Sequence, residues 1–191
     1  MNFNIRPATV TKLKVSSTGE KSVKLSWKKV TGADSYAIYR YDNTSKKWQR
    51  IKTVKAVSFT DSGLARAKGY SYKVKAVKKS GGKEYISASY SKAVEAVTKP
   101  AKASCTAKSA DSGSIEVSWK AVGGASGYEI YSSSNGSDYV KSAKVGGSQK
   151  SAIVSGFEPY SLRMVKVRAY KTVNGKTSYG AFSQAVMVIV R

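Results

Sequence analysis

A short segment of this chain occurs twice, and this repeat constrains the fold more than any other feature. The first copy reads VKLSW from Val23 to Trp27 and continues, after a turn, with YAIY. The second reads IEVSW from Ile115 to Trp119 and continues, after a Gly-rich turn, with YEIY. Apolar and polar residues alternate in both, which is the pattern of half-buried β-strands. The chain of 191 residues is therefore predicted to contain two copies of one β-domain.

The alternation continues along each copy and predicts seven strands with a turn signal about every ten residues. In the first strand, over residues 9–16, Leu13 and Val15 are expected to face the core and Val10 the opposite side. The last strand, over residues 85–97, is expected to bulge between residues 87 and 91. The prediction is all-β: two tandem immunoglobulin-like seven-stranded β-sandwiches. Their boundaries are placed at residues 1–98 and 99–191, with a short hinge at Pro100.

Each sandwich is expected to have a core built on its tryptophan. Trp27 and Trp119 both belong to the apolar face of an alternating strand. Cys105, the single cysteine, stands where the first copy has Leu13. It is therefore expected to fill a core position of the first strand of the second copy.

The chain is strongly basic, with 34 Lys and Arg against 11 Asp and Glu and a net charge of +23. Up to Thr98 there are 21 basic and 6 acidic residues (+15), and beyond it 13 and 5 (+8). Such a field attracts polyanions. It equally suits a lysine-coated surface that protects sheet edges from aggregation.

Catalysis in this chain is not expected. The sequence has no His, which excludes His-based acid–base and metal chemistry, and no cofactor or metal site is predicted. No apolar run reaches the ~20 residues that a membrane-spanning helix requires. Five of the acidic residues are interpreted as turn formers rather than as catalytic carboxylates. They are Asp34, Asp42, Asp61, Asp111 and Asp138.

Tyrosines and cations are predicted to share the outer face of the sheet that contains strands three and six. The candidate ligand-binding residues are Tyr39, Tyr41, Lys73 and Lys75 in the first copy and Tyr131, Lys166 and Arg168 in the second. Rings and cations together can stack on sugars or bases and pair with acidic groups. The alternative interpretation is that these cross-strand pairs only cover the sheet.

A Trp on the second strand, Tyr-x-Ile/Val on the third and Tyr-x-Tyr-x-Val-x-Ala on the sixth resemble the fibronectin type III module. The family's leucine–tyrosine corner is matched by Leu64 and Tyr70. In the second copy Arg163 stands at the tyrosine position. The resemblance thus implies that this copy lacks the corner hydrogen bond unless Tyr160 substitutes for the missing tyrosine.

The segments WKKV, starting at Trp27, and VRAYK, starting at Val167 and followed by NGKTSYG, are similar to segments of lysine-rich fibronectin type III repeats of Gram-positive secreted and wall-attached proteins. This resemblance implies a monomeric, non-catalytic spacer or adhesion module at the cell surface or secreted. The first seven residues, MNFNIRP, lack the apolar core of a secretory signal, so the chain is either cytosolic or a fragment lacking its signal peptide, and the second is expected. The implied partners are a teichoic acid, an acidic polysaccharide or a host or cell-surface protein. The alternative is a polyanion-binding or carbohydrate-binding accessory module that uses the basic, aromatic face.

Overall fold

The computed structural model describes residues 6–191 and shows two β-sandwich units. Residues 6–64 and Gly69–Thr98 form the first unit, and Ala65–Lys68 and Lys99–Arg191 form the second. Each unit pairs a three-stranded sheet with a five-stranded sheet. The predicted all-β sandwich architecture is thereby confirmed. Among the described residues, no helix has the length and hydropathy needed to cross a bilayer.

The first unit contains eight strand segments, paired antiparallel throughout. They are β1 (Lys14–Thr18), β2 (Ser22–Ser26), β3 (Ser35–Asp42), β4 (Lys47–Val54), β5 (Ser58–Ser62), β6 (Gly69–Ser80), β7 (Lys83–Ile86) and β8 (Val94–Val97). One sheet has the order β1-β2-β5. The other has the order β4-β3-β6-β7, and β8 also pairs with β6.

The predicted seventh strand is divided into β7 and β8 because the chain bulges between two serines. Ser87 and Ser91 keep their backbone bonds to Ala76 and Val74 of β6. Their hydroxyls also accept hydrogen bonds from the backbone N–H groups of Ala76, at 3.3 Å, and Val74, at 3.0 Å. The residues between the serines are therefore lifted out of the ladder, which is how a bulge redirects a side chain.

The second unit repeats this arrangement. Its strands are β9 (Cys105–Ser109), β10 (Ser114–Trp119), β11 (Gly127–Ser133), β12 (Val140–Gly146), β13 (Ser151–Ser155), β14 (Leu162–Val173), β15 (Lys176–Tyr179) and β16 (Val186–Ile189). The three-stranded sheet has the order β13-β10-β9. The five-stranded sheet has the order β12-β11-β14-β15, with β16 also paired to β14.

Each core is centred on the predicted tryptophan. Trp27 and Trp119 are each 6% exposed. Their rings pack on Tyr36 and Tyr128, with centroids 5.4 and 5.1 Å apart. Each of these tyrosine hydroxyls accepts a backbone N–H, at 2.8 Å in the first unit and 2.7 Å in the second. The same aromatic pair, with the same satisfied hydroxyl, therefore organises both cores.

The prediction for Val10 was wrong. Val10 is 2% exposed and lies in the core, against which Leu13 and Val15 pack as partly buried side chains. Lys12 has a φ of +55°. A left-handed residue breaks the two-residue alternation of a strand, so residues on either side of it can face the same core. Cys105, as predicted, packs against the second core as a partly buried side chain.

Asp61 is a buried strand residue, so its interpretation as a turn former was wrong. Its Oδ2 atom accepts hydrogen bonds from Arg40 at 2.7 Å and from the hydroxyl of Tyr72 at 2.9 Å. Burial first, and then the neighbouring carboxylate, raise the pKa of Tyr72 well above its usual value. Because Asp61 lies on β5 and its partners lie on β3 and β6, these bonds tie the two sheets together.

Tyr160 does not replace the missing corner tyrosine of the second unit. Its side chain is 87% exposed. Arg163, at the tyrosine position, instead places its guanidinium 5.2 Å from the centroid of the Phe157 ring. A cation–π contact therefore covers this end of the second core.

Candidate functional site: an aromatic and cationic sheet face

Strands β3 and β6 bring the four predicted residues of the first unit together on the outer face of the five-stranded sheet. Tyr39 pairs directly with Lys73, and Ala37 with Lys75. Tyr41 pairs with Trp48 of β4. Because side chains alternate along each strand, all of these point away from the core. We call the following set the first face: Tyr39, Tyr41, Trp48, Lys73, Lys75 and Tyr90.

The first face is a continuous layer of rings and ammonium groups. The Tyr39 and Tyr90 rings meet edge to face with centroids 4.9 Å apart. Lys75 Nζ lies 4.3 Å from the Tyr90 centroid. Lys73 Nζ lies 4.4 Å from the Trp48 centroid and 5.4 Å from that of Tyr90. All six side chains are half-buried, so each keeps part of its surface available to a ligand.

Trp48 and Tyr90 belong to the first face but were not predicted to do so. Tyr90 reaches it because it lies in the bulge between β7 and β8. Its neighbour Ser91 holds the backbone to Val74 of β6. The repeat contained a signal, since Tyr90-Ser91 recurs as Phe182-Ser183 and Trp48 corresponds to Tyr139.

The ammonium groups of the first face are not neutralised by carboxylates. In the part of the chain that the structure describes, neither Lys73 nor Lys75 forms an ion pair. Lys75 Nζ donates instead to the Ala88 carbonyl, at 3.1 Å. Burial, and secondarily the neighbouring Tyr90, raise the pKa of Tyr39, so its phenol stays uncharged near neutral pH. The face is therefore cationic and aromatic at once.

The second unit places its three predicted residues in an equivalent cluster. Lys166 Nζ lies 3.4 Å from the centroid of Tyr139 and 4.5 Å from that of Phe182. Tyr131 meets Phe182 edge to face at 5.0 Å. The Arg168 guanidinium lies 4.1 Å from the Tyr179 centroid. The set Tyr131, Tyr139, Lys166, Arg168, Tyr179 and Phe182 is called the second face.

A buried carboxylate distinguishes the second face from the first. Glu129 is 2% exposed and its Oε2 atom accepts from Arg168 Nη2 at 2.8 Å and Nε at 3.0 Å. Lys141 approaches the other oxygen at 3.4 Å. Burial alone would raise the pKa of Glu129, but its hydrogen bonds and charge interactions with Arg168 and, to a smaller extent, with Lys141 together outweigh burial and hold the pKa below its usual value. The first unit has Ala37 at this position, so its lysines meet no such carboxylate.

The two faces present the same kinds of groups for contact with a ligand. Each combines ring faces with ammonium or guanidinium groups on the outer surface of a sheet. This suits contact with an extended polymer better than enclosure of a small molecule. Within residues 6–191, no three His, Cys, Asp or Glu side chains converge as metal ligands would.

Comparison with known proteins relates the chain to one enzyme sequence and to tandem-module structures. No protein-family model matches the chain. A poly(3-hydroxybutyrate) depolymerase from Ralstonia pickettii is 43% identical over 100 residues, which are 52% of this chain and 18% of that protein. The chain thus spans less than a fifth of the length of this relative.

A two-module fibronectin type III segment of chicken tenascin matches 94% of this chain and 98% of its own length, with a TM-score of 0.56 and 17% identity. The FN1–FN3 segment of chicken CNTN1 matches 97% of this chain and 68% of its own length, with a TM-score of 0.47 and 19% identity. The resemblance to Gram-positive lysine-rich repeats stays a prediction. The tenascin likeness and the two sandwiches agree, and the chain has the fold of a tandem pair of fibronectin type III modules.

Proposed function

We propose that the chain is a non-catalytic accessory segment of a secreted or surface-attached bacterial protein that degrades a polymer. The depolymerase match supports this context, because its 100 residues have about the length of one unit. An esterase of the Ser-His-Asp type needs a histidine base, and this chain contains no His. In this proposal the chain spaces the catalytic part and attaches it to polymers. A polyester is the candidate substrate class of the parent protein.

The first face is the observation that carries the attachment role. Lys73 and Lys75 present two ammonium groups without carboxylate partners beside the rings of Tyr39, Trp48 and Tyr90. Acidic groups can pair with the ammonium groups while sugar rings stack on the aromatic side chains. The proposed ligand is therefore an acidic polymer or glycan, such as a teichoic acid or an acidic polysaccharide of the cell wall.

A spacer without a ligand is the second candidate function. The observation that favours it is that both ammonium groups already lie over rings of their own sheet, Lys75 at 4.3 Å and Lys73 at 4.4 Å. In this case the first face only covers the sheet, and the two units set a distance between other parts of the parent protein.

Binding of the full chain to purified teichoic acid and to an acidic polysaccharide, measured as salt is increased, separates these candidates. Lys73→Glu with Lys75→Glu should weaken binding at least about tenfold at low salt, because the affected contacts release counterions. The matched control is Lys14→Glu with Lys24→Glu, two exposed lysines of the other sheet. Tyr39→Ala should lower affinity for the polysaccharide even at high salt, where stacking persists and charge attraction is screened.

The spacer candidate predicts a different outcome. The chain would then bind neither polymer at low salt, or both lysine pairs would weaken binding equally. Either result would show that the basic surface acts only as a diffuse solvated coat.

A further inference from the structure

The outer surface of the second five-stranded sheet carries an apolar patch beside the second face. Four side chains form a two-by-two block across β14 and β16, in which Leu162 pairs with Ile189 and Met164 with Met187. Leu162 is 44% exposed, Ile189 64% and Met187 68%, and Met164 is half-buried. The inward residues of these strands, such as Val165 and Val188, already pack in the core. The patch therefore faces water instead of the interior.

The first unit shows that this fold does not require apolar residues at these positions. The corresponding pairs are Gly69 with Val97 and Ser71 with Glu95. A small, polar or acidic side chain is thus accepted where the second unit has Leu162, Met164 and Met187. Contiguous exposed apolar side chains on a soluble surface mark an interaction site more often than single ones do.

We propose that this patch holds the chain against the surface of an uncharged, apolar polymer, and the proposal rests on the polymer-degrading context argued above. The patch lies on the outer surface of a sheet, so it can contact an extended surface more readily than a small ligand, which needs a concave site. Aliphatic and thioether side chains can contact the methyl and methylene groups of a polyester without stripping charged groups of water.

A second copy of the chain is a poorer occupant of the patch. The exposed area of its four side chains is on the order of 300 Å², well below the ~800 Å² per partner of a standard protein interface. The net charge of +23 also makes two copies repel each other. An uncharged polymer meets neither obstacle. In this arrangement the first face attaches to an acidic polymer and the patch attaches to an apolar one.

Adsorption of the full chain to poly(3-hydroxybutyrate) particles in 1 M NaCl tests the proposal, because screening then reaches ~3 Å and leaves apolar contact dominant. The test variant combines Met164→Ser with Met187→Glu. These changes introduce the residue types that the first unit has at the corresponding positions, Ser71 and Glu95. It should adsorb at least about tenfold more weakly than the unmodified chain. The matched control is Ile153→Thr, since Ile153 is 64% exposed on the other sheet and the first unit has Thr60 there. This control should adsorb as the unmodified chain does.

Equal adsorption of all three proteins would overturn the proposal, since it would show non-specific sticking. Failure of the unmodified chain to adsorb would overturn it as well. Patch-dependent binding to neutral phosphatidylcholine vesicles without binding to the particles would replace the polymer with a lipid surface. Near-ultraviolet circular dichroism confirms that each variant is folded. Acidic-polymer binding at low salt, measured on the same preparations, reports on the first face independently, so failure of the patch is distinguishable from failure of the proposed function.

Discussion

Replacing Glu129 with Ala should destabilise the second unit although the first unit has Ala37 at the same position. In the first unit the paired cation, Lys75, donates to the Ala88 carbonyl. In the second, the paired cation is Arg168, whose side chain is 23% exposed and whose Nη2 atom lies 2.8 Å from Glu129 Oε2. Removing the carboxylate leaves a largely buried guanidinium without its anion.

The expected loss in unfolding free energy is about 2–3 kcal/mol. Hydrogen bonds to a charged group are worth about 1.5–3 kcal/mol, and breaking a fully buried pair costs about 3–5 kcal/mol. The loss is expected to be smaller than for a fully buried pair because Arg168 keeps its cation–π contacts with the rings of Tyr179 and Phe182, at 4.1 and 4.8 Å from their centroids. Lys141, whose side chain is 48% exposed, adds little because water screens it.

The assay is urea unfolding of the whole chain in a Trp27→Phe, Trp48→Phe background. Trp119 is then the remaining indole of three, and its fluorescence reports on the second unit. The pKa of Glu129 is lowered by folding, so its stabilisation is present above the unfolded pKa of ~4.3 and is lost as pH falls through the folded pKa. The difference in unfolding free energy between the double Trp→Phe chain and the same chain with Glu129→Ala should therefore be largest at neutral pH and shrink below about pH 4.3. A gap under ~0.5 kcal/mol at pH 7, or one independent of pH, would refute this reasoning.

Four further substitutions test the packing of the two units. Trp27→Ala should lower the free energy of unfolding by about 3–5 kcal/mol. Trp119→Phe should lower it by ~1 kcal/mol more than Trp27→Phe does, because Trp119 Nε1 donates to the Gln149 carbonyl at 3.1 Å, whereas Trp27 Nε1 has no acceptor among the described residues. Equal losses for the two Trp→Phe variants in urea unfolding would contradict this. Gly127→Ala should destabilise the second unit by about 1–3 kcal/mol, because a Cβ atom there would overlap the Val145 carbonyl and the Tyr170 hydroxyl. An unchanged midpoint of thermal unfolding would show that the neighbouring strands move apart freely.

Local alternation predicted the site residues that lie on the third and sixth strands of each copy. Tyr39 and Lys73 sit on β3 and β6, where the period of two holds, so the outer face followed from the sequence. Tyr90 escaped prediction because it lies in a bulge, where no period applies. Val10 was assigned to the wrong side for a related reason, since the left-handed Lys12 resets the alternation.

Contacts between distant elements account for the other differences. Asp61 has the residue type of a turn, and only the packing of the two sheets shows that it bonds to Arg40 and Tyr72. The buried state of Glu129 depends on Arg168, which lies 39 residues later. The segment VMVI of β16 is apolar at every position. Its Met187 is exposed because nothing among the described residues covers that side of the sheet.

Exchanging the residues at one position between the units tests the central claim most directly, because Ala37 and Glu129 determine whether the cation paired with each, Lys75 or Arg168, meets a carboxylate. Binding of the full chain to teichoic acid at low salt is measured for the unmodified chain, Ala37→Glu and Glu129→Ala. The account predicts that Ala37→Glu weakens binding, since the new carboxylate pairs with Lys75, and that Glu129→Ala strengthens it by releasing Arg168 and Lys141. Unchanged affinity in both variants would contradict the account, because binding would then not depend on the charge of either face.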